Sequence, residues 1–473
     1  MQNCSRFKNH RLTQIKKVNI IMKNAKELQQ ERAQIFHDLA DGRVPKRVPV
    51  GGNIGIEFCI QYAGLPLAKT QWTLEGVEEA MDKACQITGS DLYPLGPARP
   101  PIGYQILGSR TNVMGSKGFI QHPEVSVMEA DEYDDFIKNP HEFIMEKALP
   151  RMDKELDTDP VTRSIVYAKA VKAHFDYLDR YAQIDEKLIE KYGFYRIPPE
   201  SAGMALSPLD YIADFLRGFK GIVMDLRRCP EKVAEACEAI LPMIVKMGTP
   251  PVISKYGQTF MPLHMAPFLR TSDFENIYWP TFSRTIQALA DKGQRVFMFC
   301  DHDWMRYLDH LYELPENTCI AFEFGDPKVI KEKLGKRHIL SGLYPMTYLK
   351  TATKQECVDK AKELLDIMAP GGRYYFDFDK SLISIDSANI ENYTAVTRYI
   401  AENSYYNNAG EPLASDANKG KKFVDTGEIK AFKSKYYQTW EEYKEKHPNI
   451  SPELEPIIAQ KLQMYEEMLF TFF

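Results

Sequence analysis

Four groups able to bind a proton or a metal stand together in Cys300-Asp301-His302-Asp303, directly after the apolar run Val296 to Phe299. Such a run reads as a buried strand, so the four groups fall where that strand ends. On an extended chain residues i and i+2 face the same way, which puts Cys300 and His302 side by side. A thiolate and an imidazole suit Zn²⁺, which then needs at least one more ligand from another strand. His264 in FMPLHMAP, Glu323 in AFEFG and Asp379 in YYFDFDKSL each close a similar segment. Imidazole titrates near neutrality and serves as a ligand or a general acid–base. A carboxylate among apolar neighbours, as at Glu323, is costly unless paired or bound to a metal. The metal ligands are therefore expected among Cys300, His302, His264 and Glu323, and the catalytic groups among His264, His302, Glu323 and Asp379. Asp377 shares a strand face with Asp379, which is favoured because it lies nearer the strand end. Blander readings stand beside these. His264 would be a hydrogen-bonded core residue, Cys300 a small apolar filler, His302 a cap for the next helix, and Asp301 or Asp303 its N-cap.

Positioning these groups requires elements that end in one place. From residue 230 onward, strand-like runs of about five residues alternate with helical stretches of about a dozen, the signature of βα units around a parallel sheet. Helices are expected over 230–248, 272–292, 303–314, 327–335 and 354–369. Earlier, 24–41 and 73–89 read as helices, 47–55 as a strand with a Gly-rich exit, and Ser207 as an N-cap ahead of Pro208. Seven or eight such units predict an α/β fold of the TIM (β/α)8 class, in which active sites gather at the C-terminal ends of the strands. Read in order, those ends give Asn53, Asp91 with Arg99, His264, Cys300 to His302, Glu323, Tyr344, and Asp377 with Asp379. Asn53, Asp91, Arg99 and Tyr344 are the expected substrate contacts; Arg99 would hold a carboxylate. The expected organisation is an N-terminal arm at 1–23, disordered or an extension if Met22 is the true start, the barrel at 24–410 and a helical extension at 411–473.

The 473 residues carry a net charge of −5 with no long Lys/Arg block, which argues against a nucleic-acid surface. No run of 18 apolar residues occurs, so no membrane span is expected. The eight cysteines are scattered with no C-x-x-C pair, which suits a reducing cytoplasm. A P-loop, a Rossmann glycine fingerprint, a nucleophile elbow and an H-E-x-x-H motif are missing.

Residues 200–405 resemble the uroporphyrinogen decarboxylase superfamily, with a weaker resemblance over 25–150. The order Gly342-Leu343-Tyr344-Pro345, then T-x-x-E-x-V from Thr353 to Val358, then Gly371-Gly372 and a strand, is similar to that family's sequence of motifs. The resemblance implies a TIM barrel and one of two activities. The first is cofactor-free decarboxylation of a tetrapyrrole; the second is methyl transfer involving a corrinoid, with zinc in the barrel mouth. The decarboxylases carry an Arg-rich stretch after the first strand, where this chain reads GGNIGIEFC. The thiol methyltransferases carry H-x-C where this chain has Met298-Phe299-Cys300, and a cysteine where it has Asp379. The resemblance thus favours demethylation of a small methylated substrate over carboxy-lyase chemistry. It implies a corrinoid on a separate partner protein, because no D-x-H-x-x-G motif is present. A non-catalytic binding barrel is the third reading, and a homodimer is compatible with any of them.

Overall fold

A computed structural model describes residues 24–415, 428–470 and 472. The arm expected at 1–23 lies outside the described residues. The fold is α/β. Its sheet has five parallel strands in sequential order. They are β1 (Ala202–Met204), β2 (Gln258–Leu263), β3 (Val296–Asp303), β4 (Cys319–Phe324) and β5 (Ile339–Gly342). Short extended segments continue from the β5 edge through parallel bridges. Leu340 pairs with Tyr374 and Tyr344 with Phe378; Val50 pairs with Phe376, Ile54 with Leu95, and Leu92 with Tyr195, which precedes β1.

Helices named here are α1 (Ala25–Ala40), α2 (Pro160–Tyr192), α3 (Pro230–Gly248), α4 (Trp279–Asp291), α5 (Lys354–Met368) and α6 (Ile390–Asn403). Their starts follow local chemistry. Asn24 and Thr353 each close a capping box with the glutamate three residues on, and Pro230 opens α3 where its missing N–H costs nothing. Two further helices, Trp440–Lys446 and Glu455–Leu469, lie in the C-terminal region expected to be helical. No described helix is long and apolar enough to cross a membrane.

Strand parity decides what faces what. In β3, Val296, Met298 and Cys300 are buried, while Phe297, Phe299 and Asp301 are only half-buried. In β2, Thr259, Met261 and Leu263 are the buried set. Met261, Leu263, Met298 and Cys300 share one apolar core with Ile240 of α3 and Phe282 and Ile286 of α4. One face of the sheet is therefore sealed against helices, and the other is open.

Two expected substrate contacts serve the scaffold instead. Asp91 is fully buried, and it stands at the start of its segment rather than the end. Its carboxylate accepts two hydrogen bonds from Arg47, at 2.6 and 2.5 Å, and one from the Val50 N–H at 2.9 Å. A buried carboxylate next to the first strand segment needs that guanidinium, which is why Asp91 belongs to packing. Tyr344 is also fully buried; its hydroxyl donates to the Cys357 carbonyl at 2.9 Å, and its ring packs on Phe376 and Phe378. It faces the helical layer.

Removing one partner of the Arg47–Asp91 pair leaves the other charge buried and unpaired. Asp91→Ala is expected to lower unfolding stability by about 3–5 kcal/mol, read by urea denaturation. A loss below about 1 kcal/mol would show that the pair does not anchor the first segment.

Candidate active site at the strand ends

The last fully paired row across the central strands is Leu263, Cys300, Phe322 and Gly342. These residues are buried, so the next residue on each strand turns to the open face: His264, Asp301 and Glu323. This row is the core of the site. The register then slips between Cys300 and Asp303, where β3 bulges and His302 takes a left-handed φ of 59°. The bulge breaks the alternation that would have paired Cys300 with His302.

Asp301 and Glu323 form a carboxyl–carboxylate pair. Burial, followed by the neighbouring Glu323, pushes the Asp301 carboxyl up to about 6. The hydrogen bond from Asp301 holds Glu323 well below the usual carboxylate range, with Lys380 and a backbone N–H acting in the same direction. Lys380 Nζ lies 2.5 Å from Glu323 Oε1, and the His302 N–H donates to Glu323 Oε2 at 2.7 Å. Below about pH 6 the pair thus holds one proton, on Asp301, while Lys380 balances the charge on Glu323.

His264 stands at the other end of the row. Its Nδ1 lies 2.7 Å from Asp214 Oδ2, and this contact raises the imidazole pKa to about 9. Behind it, buried Asp210 accepts four hydrogen bonds, from the His264 N–H, the Met265 N–H, Ser207 Oγ and Tyr278 Oη. Asp210 and Asp214 belong to consecutive helical turns, Pro208–Tyr211 and Ile212–Arg217, which start at the expected Ser207 cap. Spacing of i and i+4 lets both reach the end of β2.

Cys300 does not belong to this cluster. It is fully buried in the apolar core, and burial pushes its thiol well above the usual range. A thiol held neutral there is no metal ligand. Asp301, which the parity argument had set aside, replaces it: ligand atoms of Asp301, His302 and Glu323 lie within 4.8 Å of one another. The His302 side chain is more than half exposed, with Nδ1 3.9 Å from Glu323 Oε2. Two oxygens and an imidazole nitrogen fit a divalent ion such as zinc, and suit a harder ion better than a thiolate set would.

The remaining expected residues divide. Asp379 is buried and accepts the Met346 N–H at 2.7 Å, which fastens the turn after β5; Glu323 and Lys380 are its charged neighbours. Asp377, set aside for Asp379, also faces the open side, and a Cβ on Gly51 would collide with its carboxylate. Asn53 accepts from Ser381 Oγ at 2.7 Å and holds two segment ends together. Arg99 is exposed, and it shares with Asp214 and His264 a cavity of about 1440 Å³. Asp210, Asp214 and Lys380 were not anticipated. The i, i+4 aspartates in SPLDYIADF were the available signal. Lys380, next to Asp379, gave none.

An apolar collar stands outside the row. The exposed rings of Phe219 and Phe268 meet at 5.3 Å, Phe268 meets His302 at 5.2 Å, and Phe324 is exposed beyond Glu323. No family model matches this chain, and no curated protein matches it.

His264 provides a direct test. Its folded-state pKa of about 9 lies above the ordinary 6.5. Its stabilising contribution is therefore complete below about pH 6.5 and is lost as pH rises through about 9. NMR titration should place the His264 midpoint near 9 in the parent and near the ordinary value in Asp214→Asn. Equal midpoints in both proteins would contradict the pairing.

Proposed function

We propose that this protein is an enzyme of the uroporphyrinogen decarboxylase superfamily that demethylates a small methylated substrate. In this reading the strand segments close into a TIM barrel, supported by the parallel bridges that link 374–378, 48–54, 91–95 and Tyr195 around the sheet. The observation that carries the proposal is the row His264, Asp301 and Glu323, three polar groups delivered to one face by consecutive strands.

A corrinoid on a separate partner protein would take the methyl group. The collar of Phe219, Phe268 and Phe324 is the surface such a partner would cover, and covering it would exclude water from the row. As the bond between methyl and heteroatom breaks, the heteroatom keeps the electron pair, and Asp301 delivers the proton it shares with Glu323. Glu323 stays anionic through Lys380 and the His302 N–H, so the proton on Asp301 is the mobile one. His264 remains a fixed cation beside the row.

Zinc, if bound, would be held by Asp301, His302 and Glu323, and would supply Lewis-acid polarisation of the leaving group. It would replace the shared proton, so its retention should weaken as pH falls. The carboxy-lyase alternative would rest on Arg99, which is exposed and lines the same cavity as His264; Arg270 is paired with Asp273 and does not reach a substrate acid.

Two measurements test the proposal. With reduced cobalamin as acceptor, Asp301→Asn should slow methyl transfer from an active methylated substrate by about 10²–10⁴-fold. Release of CO₂ in place of methyl transfer would turn the assignment to a lyase. Metal analysis should find about one zinc per chain, lost in His302→Ala and Glu323→Gln and retained in Cys300→Ala. Loss in Cys300→Ala alone would reject the oxygen and nitrogen ligand set.

A further inference from the structure

The open face of the sheet continues below the row into two further rows. Register aligns Met204, Phe260, Phe297 and Cys319 in one, and Pro262, Phe299, Ala321 and Ser341 in the next. The bridge from Leu340 to Tyr374 extends the second row to Tyr375. Aromatic rings form the wall: Phe260 meets Phe297 at 5.7 Å, and Phe297 meets Tyr375 at 6.1 Å, where Phe36 and Leu39 of α1 cover Tyr375 and close the lower end. The space before that wall is open, since Phe260 is 38% and Met204 55% exposed. Met204 and Pro262 line the same cavity as His264.

Two polar groups, Asp377 and Ser341, stand on this face. Asp377 receives one hydrogen bond, from the adjacent Phe378 N–H, and no Lys or Arg pairs with it among the described residues. Burial raises its pKa to about 7. Ser341 Oγ is fully buried beside the Tyr375 hydroxyl. The charges around them are already matched: His264 with Asp214, and Lys380 with Glu323. Arg295 starts β3 from the far end, where Asp41, Tyr195 and Tyr375 are its neighbours. The chamber therefore has aromatic walls and one carboxyl group, Asp377, without a cationic neighbour among the described residues.

We infer that this chamber binds a small organic cation, a quaternary or protonated amine, seated against Phe260 and Phe297 with its charge toward Asp377. Ring faces attract such cations through their quadrupole, and a desolvated carboxylate lacking a counter-ion favours a bound positive charge. The inference rests on the proposed activity only in calling the cation the substrate; the binding stands on the chamber itself.

The test is calorimetric titration of the full chain with choline and with its uncharged isostere 3,3-dimethylbutan-1-ol. Choline should bind about tenfold or more tightly than the isostere, a difference of the size expected for a desolvated cation on aromatic faces. Asp377→Asn should remove that preference while leaving isostere binding intact, which also shows that the variant folds. Phe297→Leu should weaken choline more than the isostere. Equal affinity for the two ligands, or a choline preference that survives Asp377→Asn, would overturn the inference. So would binding of neither ligand. Choline binding without methyl transfer to reduced cobalamin would support the cation chamber and remove the methyltransferase reading.

Discussion

Everything at the strand ends depends on the parity of three parallel strands. Leu263, Cys300 and Phe322 are pinned to the helical layer because they are apolar and lie in register. With those three fixed against the helices, His264, Asp301 and Glu323 must turn to the open face together. A one-residue slip of any strand would send its polar group into the core and its apolar residue into the open face. The site is thus specified by hydrophobic burial on the opposite side of the sheet, and its own polar contacts adjust within that frame.

Within the frame, opposite charges are kept close and like charges share protons. Asp214 holds the proton on His264, Lys380 holds the charge on Glu323, and Asp301, pushed up to about 6 by burial and by Glu323, keeps its proton well above the ordinary carboxyl range. Asp210 holds the backbone at His264 with two of its four hydrogen bonds. Imidazolium and carboxylic acid therefore stand on neighbouring strands with different affinities for protons, the arrangement that allows one site to donate a proton at one point and stay charged at another.

The sequence is most legible where period and caps act locally. The helices from Pro230, Pro327 and Thr353 begin where their residues predict, and the strand runs near 258, 296, 319 and 339 are found as strands. His264, Glu323 and His302 are expected from their positions at the ends of apolar runs, and the structure brings all three to neighbouring strand ends. Cys300 was misassigned because alternation was extrapolated through a bulge that no residue type announces. Asp91 and Tyr344 were misassigned because their partners, Arg47 and the Cys357 carbonyl, are 44 and 13 residues away. The T-x-x-E motif at Thr353 is itself a capping box, so a feature that suggested kinship also has a purely local cause.

His302 shows how one residue can be divided between backbone and side chain. Glu323 is held by its N–H, which every residue except proline would supply. Its left-handed φ is a conformation that glycine would adopt without strain and asparagine nearly so. The imidazole contributes nothing to either feature. The backbone at position 302 would therefore accept glycine, and what histidine adds is its half-exposed ring, which meets Phe268 on one side and approaches Glu323 on the other.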